Sequence, residues 1–297
     1  MNKPVFHPGP MRAPFLILTP ACVVLGLGAA VWTSDNVSAL HFAIALVGAL
    51  AAHISVNAFN EYFDYRSGLD FKTRRTPFSG GSGTLPARPE LARGGLVMAV
   101  VALAMVCATG TYFFLVRGWA LLPLGALGVV VVLAYTPWIT RSPLLCLLAP
   151  GIGFGTAMVM GTAFVLTGNY TWTAIVASCV PFFLVNDLLL LNQFPDVEAD
   201  ESVGRRTLPI VIGVRASSLV YAAFLALAYA SIVAGVFLEL LPPWSLLGLS
   251  TLALAIPTAI GARRHADNVE KLVPFMMMNV VINILTPVLV AVGLFLG

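Results

Sequence analysis

The sequence predicts an all-α polytopic membrane protein, nine transmembrane helices bundled around a central cavity as a single domain over residues 1–297. Three observations predict it. Hydrophobic residues make up 59% of the chain at a mean hydropathy of +0.93, more apolar side chain than a soluble globule can bury. Charge is scarce, with 16 Lys+Arg, 13 Asp+Glu and a net charge of +3, which excludes a disordered chain and leaves no nucleic-acid partner to expect. The apolar residues also fall in runs of about 20, the length that spans ~30 Å of hydrocarbon at 1.5 Å per residue. The four cysteines, Cys22, Cys107, Cys146 and Cys179, all lie inside such runs, so no disulfide scaffold is present.

In chain order the expected spans are 13–33, 39–60, 95–116, 119–139, 145–166, 172–193, 215–238, 242–262 and 272–296. A segment in lipid must satisfy its own backbone hydrogen bonds, and the alternation of barrel strands is missing, so each span is read as a helix. The first run is too long for a cleavable signal peptide and is followed at once by a second. Basic residues orient the set. With the N-terminus cytoplasmic, that side receives Lys3, Arg12, Arg66, Lys72, Arg74, Arg75, Arg88, Arg93, Arg141, Arg205, Arg206, Arg215, Arg263, Arg264 and Lys271, leaving only Arg117 outside. The outer loops are short and nearly uncharged, whereas two polar loops, 61–94 and 194–214, lie on the cytoplasmic side. Function is expected there.

The first of these loops grows out of the second span as N-A-F-N-E-Y-F-D-Y-R-S-G-L-D, residues 57–70. Asn60 and Asp64 stand four apart, about 40° from each other on a helix, with Asn57 one turn earlier. Gly68 lets the chain turn so that Asp70 brings a third oxygen ligand. Alone, this also reads as a solvated helix end with capping residues. The second loop follows the sixth span as L-N-Q-F-P-D-V-E-A-D-E-S-V-G-R-R-T, residues 191–207. Asn192, Asp196 and Asp200 recur every four residues, which places them on one helical face. Deeper in the same span, Asn186 and Asp187 face a cavity or partner, or belong to an internal polar network that fixes helix packing.

Two Asp-rich helix ends on one membrane face repel each other without a cation, and hard oxygen donors suit Mg²⁺, which is commonly held by a few carboxylates plus substrate phosphates. Lys72, Arg74, Arg75, Arg205 and Arg206 add charge-assisted contacts to phosphate oxygens, although each also obeys the positive-inside bias. The glycine-rich S-G-G-S-G-T at 79–84 is placed to shape a loop over the site. A diphosphate head on a hydrocarbon tail, an isoprenyl diphosphate, fits a polar pocket that continues into an apolar bundle. Its chemistry is ionisation of the allylic C–O bond and capture of the cation by an aromatic or other small acceptor, with water kept out.

These motifs resemble the UbiA superfamily of intramembrane prenyltransferases. N-E-Y-F-D-Y-R-S-G-L-D with S-G-G-S-G-T-L, then D-V-E-A-D-E-S-V-G-R-R-T, look most like the branch of 1,4-dihydroxy-2-naphthoate polyprenyltransferases of menaquinone synthesis. The resemblance covers nearly the whole chain. It implies that Asn60, Asp64 and Asp70 form one metal–diphosphate cluster and Asn192, Asp196 and Asp200 the other. It further implies that Tyr135, in Y-T-P, stands near the reaction centre, and that the protein sits in the bacterial inner membrane. Glu61 stands where the family commonly has Asp, Pro195 precedes Asp196 where the naphthoate branch usually has Arg, and P-A-R-P at 86–89 departs from the usual continuation of the glycine loop.

The remaining motifs carry less. G-I-G-F-G at 151–155 lies within a span and follows no strand, so it permits close helix packing. His53 faces the pocket or serves as a hydrogen-bonded core histidine, and Met276, Met277 and Met278 fill core or lipid contacts. A terpene cyclase, a prenyltransferase with a non-aromatic acceptor and an ion-coupled transporter are the rival readings. The last is disfavoured because the carboxylates gather at one face, away from the midplane. Oligomeric state is not encoded in any motif.

Overall fold

The computed structural model describes residues 6–297; Lys3 lies outside them. Among the described residues every regular element is helical. Eight helices are long and apolar enough to cross a bilayer: α1 (Gly9–Thr33), α2 (Ala39–Ser67), α3 (Pro89–Arg117), α5 (Pro143–Thr167), α6 (Trp172–Asn192), α7 (Val214–Phe237), α8 (Pro243–Arg264) and α9 (Val269–Leu296). The fourth expected span is shorter than its sequence suggested. It is α4, Trp119–Ala134, because the Thr136–Pro137 step turns the chain where the apolar run predicts one span over 119–139.

Outward faces of α3, α4, α7 and α8 carry exposed Val101, Val130, Leu227 and Ile260, which only lipid covers without cost. Inside, α6 is the most buried of the long helices and packs on α7, α5, α9 and α1. The G-I-G-F-G segment makes this possible. Gly151 and Gly155 lie directly on the α6 backbone near Phe182 and Ser178, and the Gly151 amide donates to Asn186 Oδ1 at 2.6 Å. Here α5 widens into a π-helix over Ile152–Met160, next to Pro150, whose ring nitrogen has no hydrogen to donate.

Loops at one end are tied together: Lys72 donates to Ser202, Arg74 to Glu270, and the Arg206 amide to the Thr140 carbonyl. At the other end Arg117 donates to the Val165 and Leu166 carbonyls and Thr173 to that of Leu240. Helix α4 runs from the second end to the first. The described N-terminus lies at the first end and Gly297, beside Pro242, at the second.

Candidate active site

A cavity of about 400 Å³ opens at the end that holds the Asp-rich loops. Helix periodicity builds it. Ala45, Gly48, Ala52, Val56, Asn60 and Asp64 recur at three and four residues along α2 and all line it, so one stripe changes from small and apolar to polar as it nears the loop. Asp64, Asp70, Asp196 and Asp200 line the polar end together. The structure thus brings both Asp-rich segments onto one wall. Their local form differs from the sequence expectation, however. Asn192 ends α6, Asp196 precedes a separate short helix, Val197–Glu201, and Asp200 lies within that helix. Pro195 breaks the run, since its missing N–H and its ring clash with the preceding turn preclude one continuous face.

Arg205 holds the two segments together. Its guanidinium donates to Asp64 and, at 2.9 Å, to Asp200 Oδ1, all three side chains being largely buried. A second arginine, Arg12, enters the site from α1, and positional charge counting gave no sign of it. Its backbone is left-handed at φ 51°, its Nε donates to Glu61 Oε1 at 2.7 Å and its Nη2 to Asn60 Oδ1 at 3.0 Å. Glu61 is fully buried and also accepts from the Ser82 amide and hydroxyl, each at 2.7 Å. This carboxylate is therefore occupied by hydrogen bonds that anchor the glycine loop. Gly80 and Gly81, at φ 82° and 71°, bring loop backbone onto the cavity wall that Asp196 also lines.

Asn57 lines the cavity while donating to the Met11 carbonyl, and Asn60 donates to Thr136 Oγ1 at 3.2 Å. Asn192 and Tyr135 are on the wall too. The other basic candidates lie elsewhere. Lys72, Arg74, Arg75 and Arg206 are exposed and outside the cavity lining; Arg74 pairs with Glu270, and Arg75 packs beside Gly83. His53 is a core histidine that borders the cavity, bonded to Thr19 at 2.8 Å and edge-on to Phe154. Asp187 is fully buried away from the cavity lining, with neither oxygen hydrogen-bonded among the described residues.

Burial raises the carboxyls of Asp70 and Asp196 to about 7, with neighbouring carboxylates adding to the effect: Glu61 and Asp64 for the former, Asp200 for the latter. Burial also raises Asp200, against which Arg205 works. For Arg205 burial opposes the charge, but Asp64 and Asp200 outweigh it and hold the guanidinium protonated. A cation relieves the same repulsion. Asp70 Oδ2, Asn192 Oδ1 and Asp196 Oδ1 are buried on this wall without a hydrogen-bond partner among the described residues. These hard donors fit Mg²⁺. No three acidic, His or Cys side chains among the described residues close around a single metal point.

The model of the UbiA prenyltransferase family matches residues 19–283. Among curated proteins the chain is 29% identical to the 1,4-dihydroxy-2-naphthoate octaprenyltransferase of Bacillus subtilis over 234 residues, 76% of this chain and 71% of that one. Identity to the Mycobacterium tuberculosis protein of the same name is 28% over 265 residues, 86% and 84% of the two chains. It is 29% to the digeranylgeranylglyceryl phosphate synthase of Natronomonas pharaonis over 196 residues, 64% of this chain and 63% of that one. The fold is shared with a UbiA homolog from Archaeoglobus fulgidus bound to DMAPP and Mg²⁺, at TM-score 0.64 and 16% identity over 96% of this chain and 98% of that one. The match over most of the sequence, carried by a bundle whose paired Asp segments meet in one cavity, places this chain in the UbiA prenyltransferase family, as a multi-pass membrane enzyme.

Proposed function

We propose that the protein transfers an isoprenyl group from a prenyl diphosphate to an aromatic quinone precursor such as 1,4-dihydroxy-2-naphthoate, using Mg²⁺. In this reading it acts as one membrane domain of nine crossings in the bacterial inner membrane, α4 included, with the N-terminus and the active-site loops cytoplasmic. One observation carries the reading: four carboxylates and two arginines crowd one end of a cavity whose remaining length is apolar. The names of the Bacillus and Mycobacterium relatives support the acceptor.

The diphosphate lies at the polar end. Asn60, Asp64, Asp70, Asn192, Asp196 and Asp200 would hold Mg²⁺, which would supply charge neutralisation of the departing diphosphate. Arg205 and Arg12 donate to phosphate oxygens, and the backbone at Gly80 and Gly81 covers the head group. The C–O bond breaks with its electrons on pyrophosphate. The allylic cation is held beside Tyr135, whose ring face stabilises positive charge, and the acceptor's ring carbon forms the new C–C bond and then loses its proton. Val56, Val132 and Phe154 keep water from the cation.

The test is to incubate the purified full-length protein with Mg²⁺, prenyl diphosphates and quinone precursors and to read products by mass spectrometry. Asp196→Asn should lower turnover at least ~10²-fold with unfolding temperature retained, and Asp64→Asn should lower it as far while also loosening the buried Arg205 pair. Full transfer in EDTA would defeat the reading. The similarity to the Natronomonas protein favours, as a second reading, a non-aromatic acceptor. Transfer to a glycerol phosphate in preference to the naphthoate would select it.

A further inference from the structure

The cavity is deeper than a head-group site needs. Along α2 its lining extends from Asp64 to Ala45, nineteen residues and hence about 28 Å at the helical rise, close to the full hydrocarbon thickness. Its deep end lies between α3 and α4. Val106, Thr109, Gly110 and Phe113 present one face of α3, and Leu121, Leu124, Gly125 and Gly128 one face of α4. The helical glycines of this wall are not equivalent. A Cβ built on Gly48, Gly128, Gly153 or Gly161 would meet a neighbouring side chain within 4 Å. On Gly110 or Gly125 it meets nothing, and both residues are exposed. Close packing therefore explains Gly48, where the Cβ would come within 2.7 Å of Thr109; at Gly128, Gly153 and Gly161 it would gain ordinary contacts at 3.6–4.0 Å, and only at Gly110 and Gly125 would it find open space. A glycine inside a helix is also less favourable than alanine, so these two carry a local cost with no packing contact to offset it.

Building on the donor site proposed above, we infer that Gly110 and Gly125 set the length of prenyl tail the enzyme accepts, by keeping the deep end of the cavity open between α3 and α4. Thr109 packs beside Gly48, sixteen residues and about 24 Å along α2 from Asp64. A zigzag chain of ~1.5 Å bonds advances about 1.25 Å per bond, so a main chain needs about nineteen bonds to reach that level, which is about five isoprene units. Shorter tails end before the glycine pair. A leucine at either position would project into the path of a long tail and leave the polar end, where the bond breaks, as it is.

The experiment compares geranyl with octaprenyl diphosphate on the full-length enzyme, its Gly110→Leu and Gly125→Leu variants, and the milder Gly110→Ala and Gly125→Ala variants. The readout is the ratio of kcat/KM for the long donor to that for the short one. It should fall at least about tenfold in the leucine variants, the effect of an overpacked site, and by a smaller factor in the alanine variants, which keep the assay informative if a leucine variant misfolds. Thermal stabilisation by the corresponding thiolodiphosphates, which bind without transferring, should show the same loss for the long tail. A ratio and a stabilisation that track the unsubstituted enzyme at both positions overturn the inference. Failure of the unsubstituted enzyme to prenylate any acceptor, with the binding contrast intact, would count against the acceptor reading and uphold this one.

Discussion

At the scale of single residues, Glu61 separates holding a metal from holding a loop. Its oxygens take three hydrogen bonds from Arg12 and Ser82 at 2.7 Å each. Removing its charge in Glu61→Gln weakens charge-assisted bonds worth about 1.5–3 kcal/mol each. We predict a KM for the prenyl diphosphate at least ~10-fold higher, with kcat less affected, in steady-state kinetics; an unchanged KM would deny Glu61 the loop-anchoring role. The buried acids give a pH dependence with a definite sign. Asp70 and Asp196 bind protons more tightly in the folded protein, at about 7, than at the ordinary 3.8. Their stabilising contribution is complete below pH ~4 and is lost as pH rises through ~7. Without metal, the unfolding temperature contributed by these groups should therefore decline from pH 5 to pH 8, and millimolar Mg²⁺ should restore it at pH 8 more than at pH 5. A stabilisation by Mg²⁺ that is equal at both pH values would contradict the assignment. Asp64 and Asp196 were legible in the sequence as motif residues, whereas the engagement of Glu61 was hinted at only by its longer arm.

At the scale of elements, two helices owe their form to particular residues. Pro195 ends α6 and turns Asp196 and Asp200 into a short separate helix, so a four-residue spacing in the sequence did not become one face. The π-helical stretch of α5 rests on Gly155, whose Cα side faces the Ser178 carbonyl and the Phe182 amide of α6, with a Cβ only 2.6 Å from either. Gly155→Leu forces these backbones apart and should destabilise the protein by about 1–3 kcal/mol. Thermal unfolding in detergent measures this, and an unchanged midpoint would show that the two helices part freely. The glycine motif was readable as a packing device, since it lay in a span with no strand before it. The change to π-helix was not, because it depends on what α6 presents.

At the scale of the whole molecule, the loops joined through Lys72–Ser202 and Arg74–Glu270 all lie at one end and the loop holding Arg117 at the other. Single cysteines at Ser202 and Asn169, on a background with Cys22, Cys107, Cys146 and Cys179 replaced, should be labelled from opposite sides of a sealed vesicle, Ser202 from the cytoplasmic one. Labelling of both from one side would remove α6, the helix between them, as a crossing. What the sequence determined by itself is the bundle and its chemistry. A mean hydropathy of +0.93, without the alternation of barrel strands, points to helices in lipid, and acids at helix ends raise the expectation of a cation and phosphate site before any contact is known. What the tertiary structure decided is which charges meet. Arg12 reaches Asn60 and Glu61 across 48 and 49 residues, and Arg205 reaches Asp64 across 141. Lys72, Arg74 and Arg75, close in sequence to the first motif, and Arg206, next to Arg205, remain outside the cavity. The reason is physical: spacing within one helix fixes relative direction through its 3.6-residue turn, whereas pairing between helices depends on how the bundle packs, which no local pattern encodes.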